Sequence, residues 1–119
     1  MFHKHEKCLG ILLFKWKHIY VELWICAPHY SVRKHFHKKQ SNKIIFLFGS
    51  VMFHKKLQND TWKYLTLNYK NIFKSFNINA EQIHYFMNMS RLPFIFINVA
   101  KFIDNYKPMS ASEDIEFNL

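Results

Sequence analysis

The densest group of chemically active side chains in the sequence is segment 33–39, RKHFHKK. Its cations are of the type that contacts phosphate groups, and an aromatic ring among them offers a stacking surface for a base. We therefore predict that this segment binds an anionic partner, either nucleic acid or an acidic lipid surface. The residues expected to make these contacts are Arg33, Lys34, His35, Phe36, His37, Lys38 and Lys39.

Two imidazoles of this segment also have the spacing of metal ligands. If the segment is a β-strand, His35 and His37 lie on the same face, because strand side chains alternate between faces. Metal sites use that geometry, but the cations on either side of the pair are expected to repel a metal ion. The sequence therefore favours a solvated basic strand.

A second candidate for metal binding consists of two mixed pairs, His5-x-x-Cys8 and Cys26-x-x-His29. Tetrahedral zinc is held by such pairs, since a gap of two residues lets one turn present both ligands. Neither pair contains the Gly of a tight metal-binding turn, and a long apolar stretch separates them. Coincidence explains the spacing better than zinc, so we expect neither a metal nor another cofactor.

The sequence offers little to an enzyme. Its eight acidic residues are scattered, and Glu113, Asp114 and Glu116 lie close to the C-terminus. It has no Gly-rich phosphate loop, no nucleophile elbow and no dinucleotide-binding fingerprint. We therefore expect a protein that is not an enzyme and that has no small-molecule substrate.

The elements that must position the basic segment are predicted to be strands. Residues 9–27 form the longest apolar run; their spacing allows an amphipathic helix, but their β-branched and aromatic content favours a buried strand. A membrane span is not expected, because charged residues interrupt this run. Residues 30–39 alternate as a polar strand. Residues 43–56 are predicted to form a hairpin around Gly49-Ser50, since a type II′ turn requires Gly at its first central position.

Two helices are predicted in the second half. Residues 62–76 place six large apolar side chains on one helical face, and Asp60 is a plausible N-cap. Asn79 and Gln82 resemble a capping pair that opens a second helix to about residue 90, with Ile83, Phe86 and Met87 inward. The run 94–103 reads equally as a strand or a helix. The predicted fold class is α+β, an antiparallel meander of about four strands followed by two helices and this ambiguous segment.

Composition sets the domain organisation and the compartment. One small basic domain is expected over residues 1–107, followed by an acidic disordered tail over 108–119. The absence of a convincing signal peptide favours the reducing cytoplasm or nucleus, with Cys8 and Cys26 as free thiols.

Three functions are compatible with the sequence. The net charge of +9 lies mostly in the first 60 residues, which favours a small basic non-enzymatic protein that binds an anionic partner. One alternative is the product of a recently arisen or spurious reading frame with no selected activity, because Gly, Ala, Val, Asp and Glu, whose codons begin with G, make up only 18 of the 119 residues. The other is a peripheral membrane protein that uses helix 62–76 as a basic amphipathic segment.

Overall fold

The chain folds into two antiparallel β-sheets that pack face to face. The computed structural model describes residues 2–103, 106, 108, 111 and 116–117. Its strands are β1 (Phe2–His5), β2 (Cys8–Trp16), β3 (Ile19–Cys26), β4 (Val32–Phe36), β5 (Gln40–Phe48), β6 (Val51–Lys56), β7 (Trp62–Leu67), β8 (Ser75–Ile78), β9 (His84–Met87), β10 (Phe94–Phe102) and β11 (Glu116–Phe117).

The order of the strands shows that most neighbours are distant in sequence. The first sheet has the order β1-β2-β3-β10-β5-β8, and the second has the order β11-β4-β9-β6-β7. Strand β10 lies in the middle of the first sheet, where Ile97 is opposite both Leu23 of β3 and Ile45 of β5. The chain therefore crosses repeatedly from one sheet to the other.

Alternation along each strand determines which side chains face the other sheet. In β3, Tyr20, Glu22, Trp24 and Cys26 are buried, whereas the residues between them are only half-buried. The inner faces of β5 and β10 alternate in the same way. Each of these strands thus contributes every second residue to the space between the sheets.

Phenylalanine rings join the two sheets. Phe86 of the second sheet lies 4.8 Å from Phe94 and 5.6 Å from Phe96 of the first sheet, measured between ring centroids. Its neighbour in the second sheet, Phe53, is 4.9 Å away. These separations are those of favourable aromatic pairs, so the abundant Phe forms an ordered core.

The predicted α+β fold class is wrong, because the described ranges contain no α-helix. Residues 62–76 form β7, the short 3₁₀ helix Tyr69–Asn71 and the start of β8. Strand β7 pairs along its whole length with β6, from Val51 opposite Leu67 to Lys56 opposite Trp62. This ladder satisfies the backbone, and such long-range pairing outweighs the weak local preference for a helix.

The second predicted helix is also wrong, although its capping contact is real. The backbone N–H of Asn79 donates to Gln82 Oε1 at 3.0 Å, and the N–H of Gln82 donates to the Asn79 carbonyl at 3.1 Å. Glu81 then takes a left-handed conformation with φ of +66°. The contact therefore closes a turn, and the chain continues as β9 between β4 and β6.

The predicted hairpin at Gly49 is a corner between the two sheets. Its arms are strands as expected, but β5 belongs to the first sheet and β6 to the second. Gly49 has φ of +123°, and a Cβ built on it would lie 2.7 Å from the carbonyl oxygen of Pro93. Gly is therefore required by the conformation and by the close approach of another segment.

Three other segments of the predicted organisation are strands in the structure. Residues 9–27 form two strands, β2 and β3, which pair as a hairpin across Lys17. The polar strand expected over 30–39 is present as β4, and the ambiguous run 94–103 is the strand β10. The described residues include no helix with the length and apolar character of a membrane-spanning segment.

Most of the expected tail, 108–119, lies outside the described residues. Within it, Pro108 and Ala111 are buried. The Pro108 carbonyl accepts a hydrogen bond of 2.6 Å from the hydroxyl of Tyr20, and β11 pairs with β4 at the edge of the second sheet. The start of a separate tail at residue 108 stays a prediction.

Candidate metal centre

A cavity of about 80 Å³ lies between the two sheets. Its walls are mainly apolar and include Trp24, Ile44, Ile78 and Phe96. Its polar side chains are three histidines and two asparagines, namely His35, His37, His84, Asn42 and Asn98. The cavity therefore combines an apolar enclosure with a few convergent polar groups, as small-molecule sites do.

The three histidines come together from two adjacent strands. His35 is in β4 and His37 directly follows it, while His84 opens β9 and is opposite His35 in the ladder. All three side chains are buried, and one ring nitrogen from each lies within 4.8 Å of the others. We refer to His35, His37 and His84 as the histidine triad.

Backbone carbonyls hold two of these rings in one orientation. His35 Nδ1 is 2.7 Å from the carbonyl oxygen of Arg33, and His84 Nδ1 is 2.8 Å from that of Gln82. Because a carbonyl oxygen only accepts, each Nδ1 must carry the hydrogen, which leaves the Nε2 lone pair unprotonated. Histidine ligands of metals are oriented in this way.

The protonation state of His84 also favours metal binding. Burial lowers the pKa of His84 well below 6.5, the charges of His35 and His37 lower it further, and the bond to the Gln82 carbonyl opposes them. At neutral pH His84 is therefore a neutral imidazole, which is the form that binds metal ions.

The dimensions of the triad fit one ion after a small adjustment. Zinc–nitrogen bonds are about 2.1 Å long, so the nitrogens of a tetrahedral site are about 3.4 Å apart. The three ring nitrogens lie within 4.8 Å of one another, so each reaches that spacing by moving less than about 1 Å toward the ion. The donor set and the spacing therefore fit a divalent transition-metal ion.

Strand alternation divides the predicted basic segment into two faces. Arg33 and Lys34 are exposed, and so are Lys38 and Lys39 beyond the strand, whereas His35 and His37 point into the cavity and Phe36 is half-buried. The guanidinium of Arg33 forms an ion pair with Glu6. The lysine ammonium groups lie over aromatic rings, with Lys34 Nζ 5.4 Å from Trp62 and Lys39 Nζ 4.6 Å from Tyr106.

The reason given against a metal at this pair, repulsion by the flanking cations, is weakened by their placement. They point away from the pair of imidazoles, so the seven residues do not form one continuous surface. Two of them belong to the cavity, and the others belong to the exterior or to the sheet edge.

The second metal hypothesis concerns the pairs His5-x-x-Cys8 and Cys26-x-x-His29, which lie outside the histidine triad. Cys8 and Cys26 are opposite each other in the β2–β3 ladder, with Cα atoms 4.1 Å apart, and form a disulfide. The expectation of free thiols is wrong. His29 is exposed on a turn, and the side chain of His5 lies outside the described residues. The disulfide removes both thiolates as ligands, and a zinc site of His5, Cys8, Cys26 and His29 stays the hypothesis that the sequence already disfavoured.

Sequence reasoning missed His84, which it assigned to a helix. In β9, buried His84 and Phe86 alternate with the less buried Tyr85 and Met87, as strand residues do. A run of four residues is too short for this period to be recognised in the sequence. The neighbour relation between His84 and His35 arises only from the pairing of β4 with β9.

Structural comparison identifies the architecture as a double-stranded β-helix. CapF from Staphylococcus aureus, a capsular polysaccharide assembling protein, superposes on 98% of this chain with a TM-score of 0.77 and 14% identity. A Lactobacillus farciminis oxalate decarboxylase, solved as a formate complex, superposes on 95% with a TM-score of 0.72 and 17% identity. A Klebsiella pneumoniae protein with a double-stranded β-helix domain superposes on 87% with a TM-score of 0.64 and 17% identity.

The chain spans about a third of the first two proteins, 33% of CapF and 34% of the decarboxylase, and 84% of the Klebsiella protein. No protein-family profile matches the sequence, and a search of curated proteins finds no match. At these identities the likeness establishes the fold.

The fold and the histidine triad overturn the predicted function. A basic non-enzymatic protein for nucleic acid or an acidic membrane is wrong, because the architecture is shared with an oxalate decarboxylase and with CapF, which has been solved with the inhibitor 3-isopropenyl-tropolone. The expectation of no enzyme rested on the absence of a candidate site, and it is wrong to that extent, because the histidine triad is a candidate site and the fold is shared with an oxalate decarboxylase. A chain without a selected function has no reason to match one architecture over its whole length, which counts against the reading-frame alternative.

Proposed function

We propose that the protein is a metal-dependent enzyme that acts on a small carboxylate. The observation that carries this proposal is the convergence of His35, His37 and His84 in a buried cavity. Three protein ligands leave coordination positions open, which is the arrangement of a catalytic rather than a structural metal site.

The triad would hold a first-row divalent ion, because imidazole is a ligand suited to zinc, iron, copper and nickel. When bound, such an ion would supply Lewis-acid chemistry that polarises an oxygen of the substrate. Backbone carbonyls hold the rings of His35 and His84 with Nδ1 as the donor, so their Nε2 atoms face outward as acceptors. Mainly apolar side chains line the rest of the site.

Size and charge indicate the class of substrate. A cavity of about 80 Å³ accepts a molecule of a few heavy atoms, not a nucleotide. Among the described residues that line it there is no Asp or Glu, and neutral histidines leave the positive charge of the ion uncompensated. A small anion would restore the balance, and an oxalate decarboxylase with this fold has been solved as a formate complex.

Metal binding by the purified chain is the first test. We expect isothermal titration to give one site for Co²⁺ or Mn²⁺, with affinity falling at least a hundredfold in His84→Ala. The matched control is His29→Asn, which replaces an exposed histidine at a left-handed position that Asn tolerates. Retained binding in His84→Ala, or equal loss in both variants, would refute the assignment.

The second test measures turnover. The metal-loaded protein is incubated with small mono- and dicarboxylates, and consumption is followed by chromatography and by release of carbon dioxide. We expect turnover that the metal-free protein and the His84→Ala variant do not show. Binding of metal without turnover of any acid in the panel would refute the enzyme proposal while leaving the metal site intact.

A further inference from the structure

Asn42 is a polar side chain of the cavity that the proposed metal site does not use. It is 5% exposed and lies on the inner face of β5. Its Nδ2 group donates to Gln40 Oε1 at 2.9 Å and to Asn98 Oδ1 at 3.0 Å. Its Oδ1 atom is buried and has no hydrogen-bond partner among the described residues.

The surrounding network determines which way this amide faces. Gln40 Nε2 donates to the backbone carbonyl of Ala111 at 2.7 Å, and a carbonyl can only accept. Gln40 Oε1 is therefore the acceptor in its contact with Asn42, and Asn42 Nδ2 is the donor. Exchanging the nitrogen and oxygen of Asn42 would set its oxygen against Gln40 Oε1, so Oδ1 of Asn42 is the remaining acceptor.

A buried acceptor without a hydrogen-bond partner carries an uncompensated desolvation penalty, and a bound donor removes that penalty. Asn42 lines the same cavity as the triad, so that partner is a molecule bound there. An ammonium group is a poor candidate, because it would lie near a divalent cation. A neutral O–H group is not repelled, and it belongs either to the ligand or to a water molecule held at the site.

We propose that Asn42 Oδ1 accepts a hydrogen bond from a hydroxyl group of the ligand, and so selects α-hydroxycarboxylates among small carboxylates. This inference rests on the proposed function, since the carboxylate must first bind beside the triad. Asn42 acts as a specificity-determining residue, and Gln40 and Asn98 position it.

Three small acids separate the hydroxyl from the rest of the ligand. Glycolate carries a hydroxyl beside its carboxylate, methoxyacetate keeps that oxygen but lacks the hydrogen, and acetate lacks the oxygen. Their affinities for the Co²⁺-loaded protein are measured by calorimetry at pH 7. We expect wild type to bind glycolate three- to tenfold more tightly than methoxyacetate, which is the effect of one hydrogen bond.

The variant Asn42→Leu removes the acceptor at similar volume. We expect its glycolate preference over methoxyacetate to fall to within about twofold, while its Co²⁺ stoichiometry and its acetate affinity stay unchanged. The control Met87→Ala alters an exposed residue outside the cavity lining and is expected to keep the wild-type preference.

Each failure has its own signature. Equal affinity of wild type for glycolate and methoxyacetate overturns the inference without any variant, so it remains testable if Asn42→Leu does not fold. An unchanged preference in Asn42→Leu also overturns it and leaves water as the partner of Oδ1. Loss of Co²⁺ in Asn42→Leu makes Asn42 a metal ligand and overturns it as well. If wild type binds no metal at all, the proposed function itself fails.

Discussion

Phe86 tests whether β9 is a strand and whether the two sheets pack through it. In a strand, Phe86 and Met87 point to opposite faces, and Phe86 is 4% exposed whereas Met87 is 37% exposed. In the helix that the local sequence favours, both side chains face inward. Truncating each to Ala therefore distinguishes the two conformations at adjacent positions.

The magnitude follows from the surroundings of the ring. Phe86 contacts Phe53, Phe94 and Phe96, from both sheets. Truncation of a buried Phe costs about 3–5 kcal/mol, including the cavity that it leaves. For a chain of this length the entropy of unfolding is about 250 cal/mol/K, so each kcal/mol lowers Tm by roughly 4 °C. We expect Phe86→Ala to lower Tm by about 12–20 °C.

Met87→Ala is the matched control and is expected to cost less than about 1 kcal/mol, as surface substitutions do. The assay is urea unfolding followed by circular dichroism and Trp fluorescence together, with a thermal scan of the same samples. The variant Phe86→Leu, which keeps part of the apolar volume, provides a folded reference. Equal losses in Phe86→Ala and Met87→Ala would refute both the strand and the packing argument.

Two further outcomes follow from the site. The folded-state pKa of His84 is lowered by burial and by His35 and His37, so the unfolded chain binds more protons below about pH 6.5. The stabilising contribution of neutral His84 is therefore present above that pH and is lost as the pH falls toward the folded pKa. Urea titrations of the metal-free protein from pH 8 to 5 should show a falling free energy of unfolding. An unchanged free energy of unfolding across this range would contradict the argument. Reduction of the Cys8–Cys26 disulfide, whose cysteines are 18 positions apart, should cost about 3 kcal/mol by loop entropy; equal urea midpoints with and without reductant would contradict that estimate.

Features that depend on neighbouring residues were predictable from the sequence. The alternation that places His35 and His37 on one face is a local property with a period of two, and it is present in the structure. The strand character of segments 30–39 and 43–56 was also readable. So was the contact between Asn79 and Gln82, which joins residues three positions apart.

Which strands are neighbours and which faces are buried depends on long-range contacts that appear only in the folded chain. Period-two alternation does not state which side is the interior, so the sequence could not place the histidines inside and the lysines outside. Segments 62–76 and 79–90 carry a helical spacing of apolar residues, yet their backbones are satisfied by strands far away in the chain. The histidine triad requires β9 to pair with β4, a relation between residues nearly fifty positions apart, and no local preference encodes such a pairing.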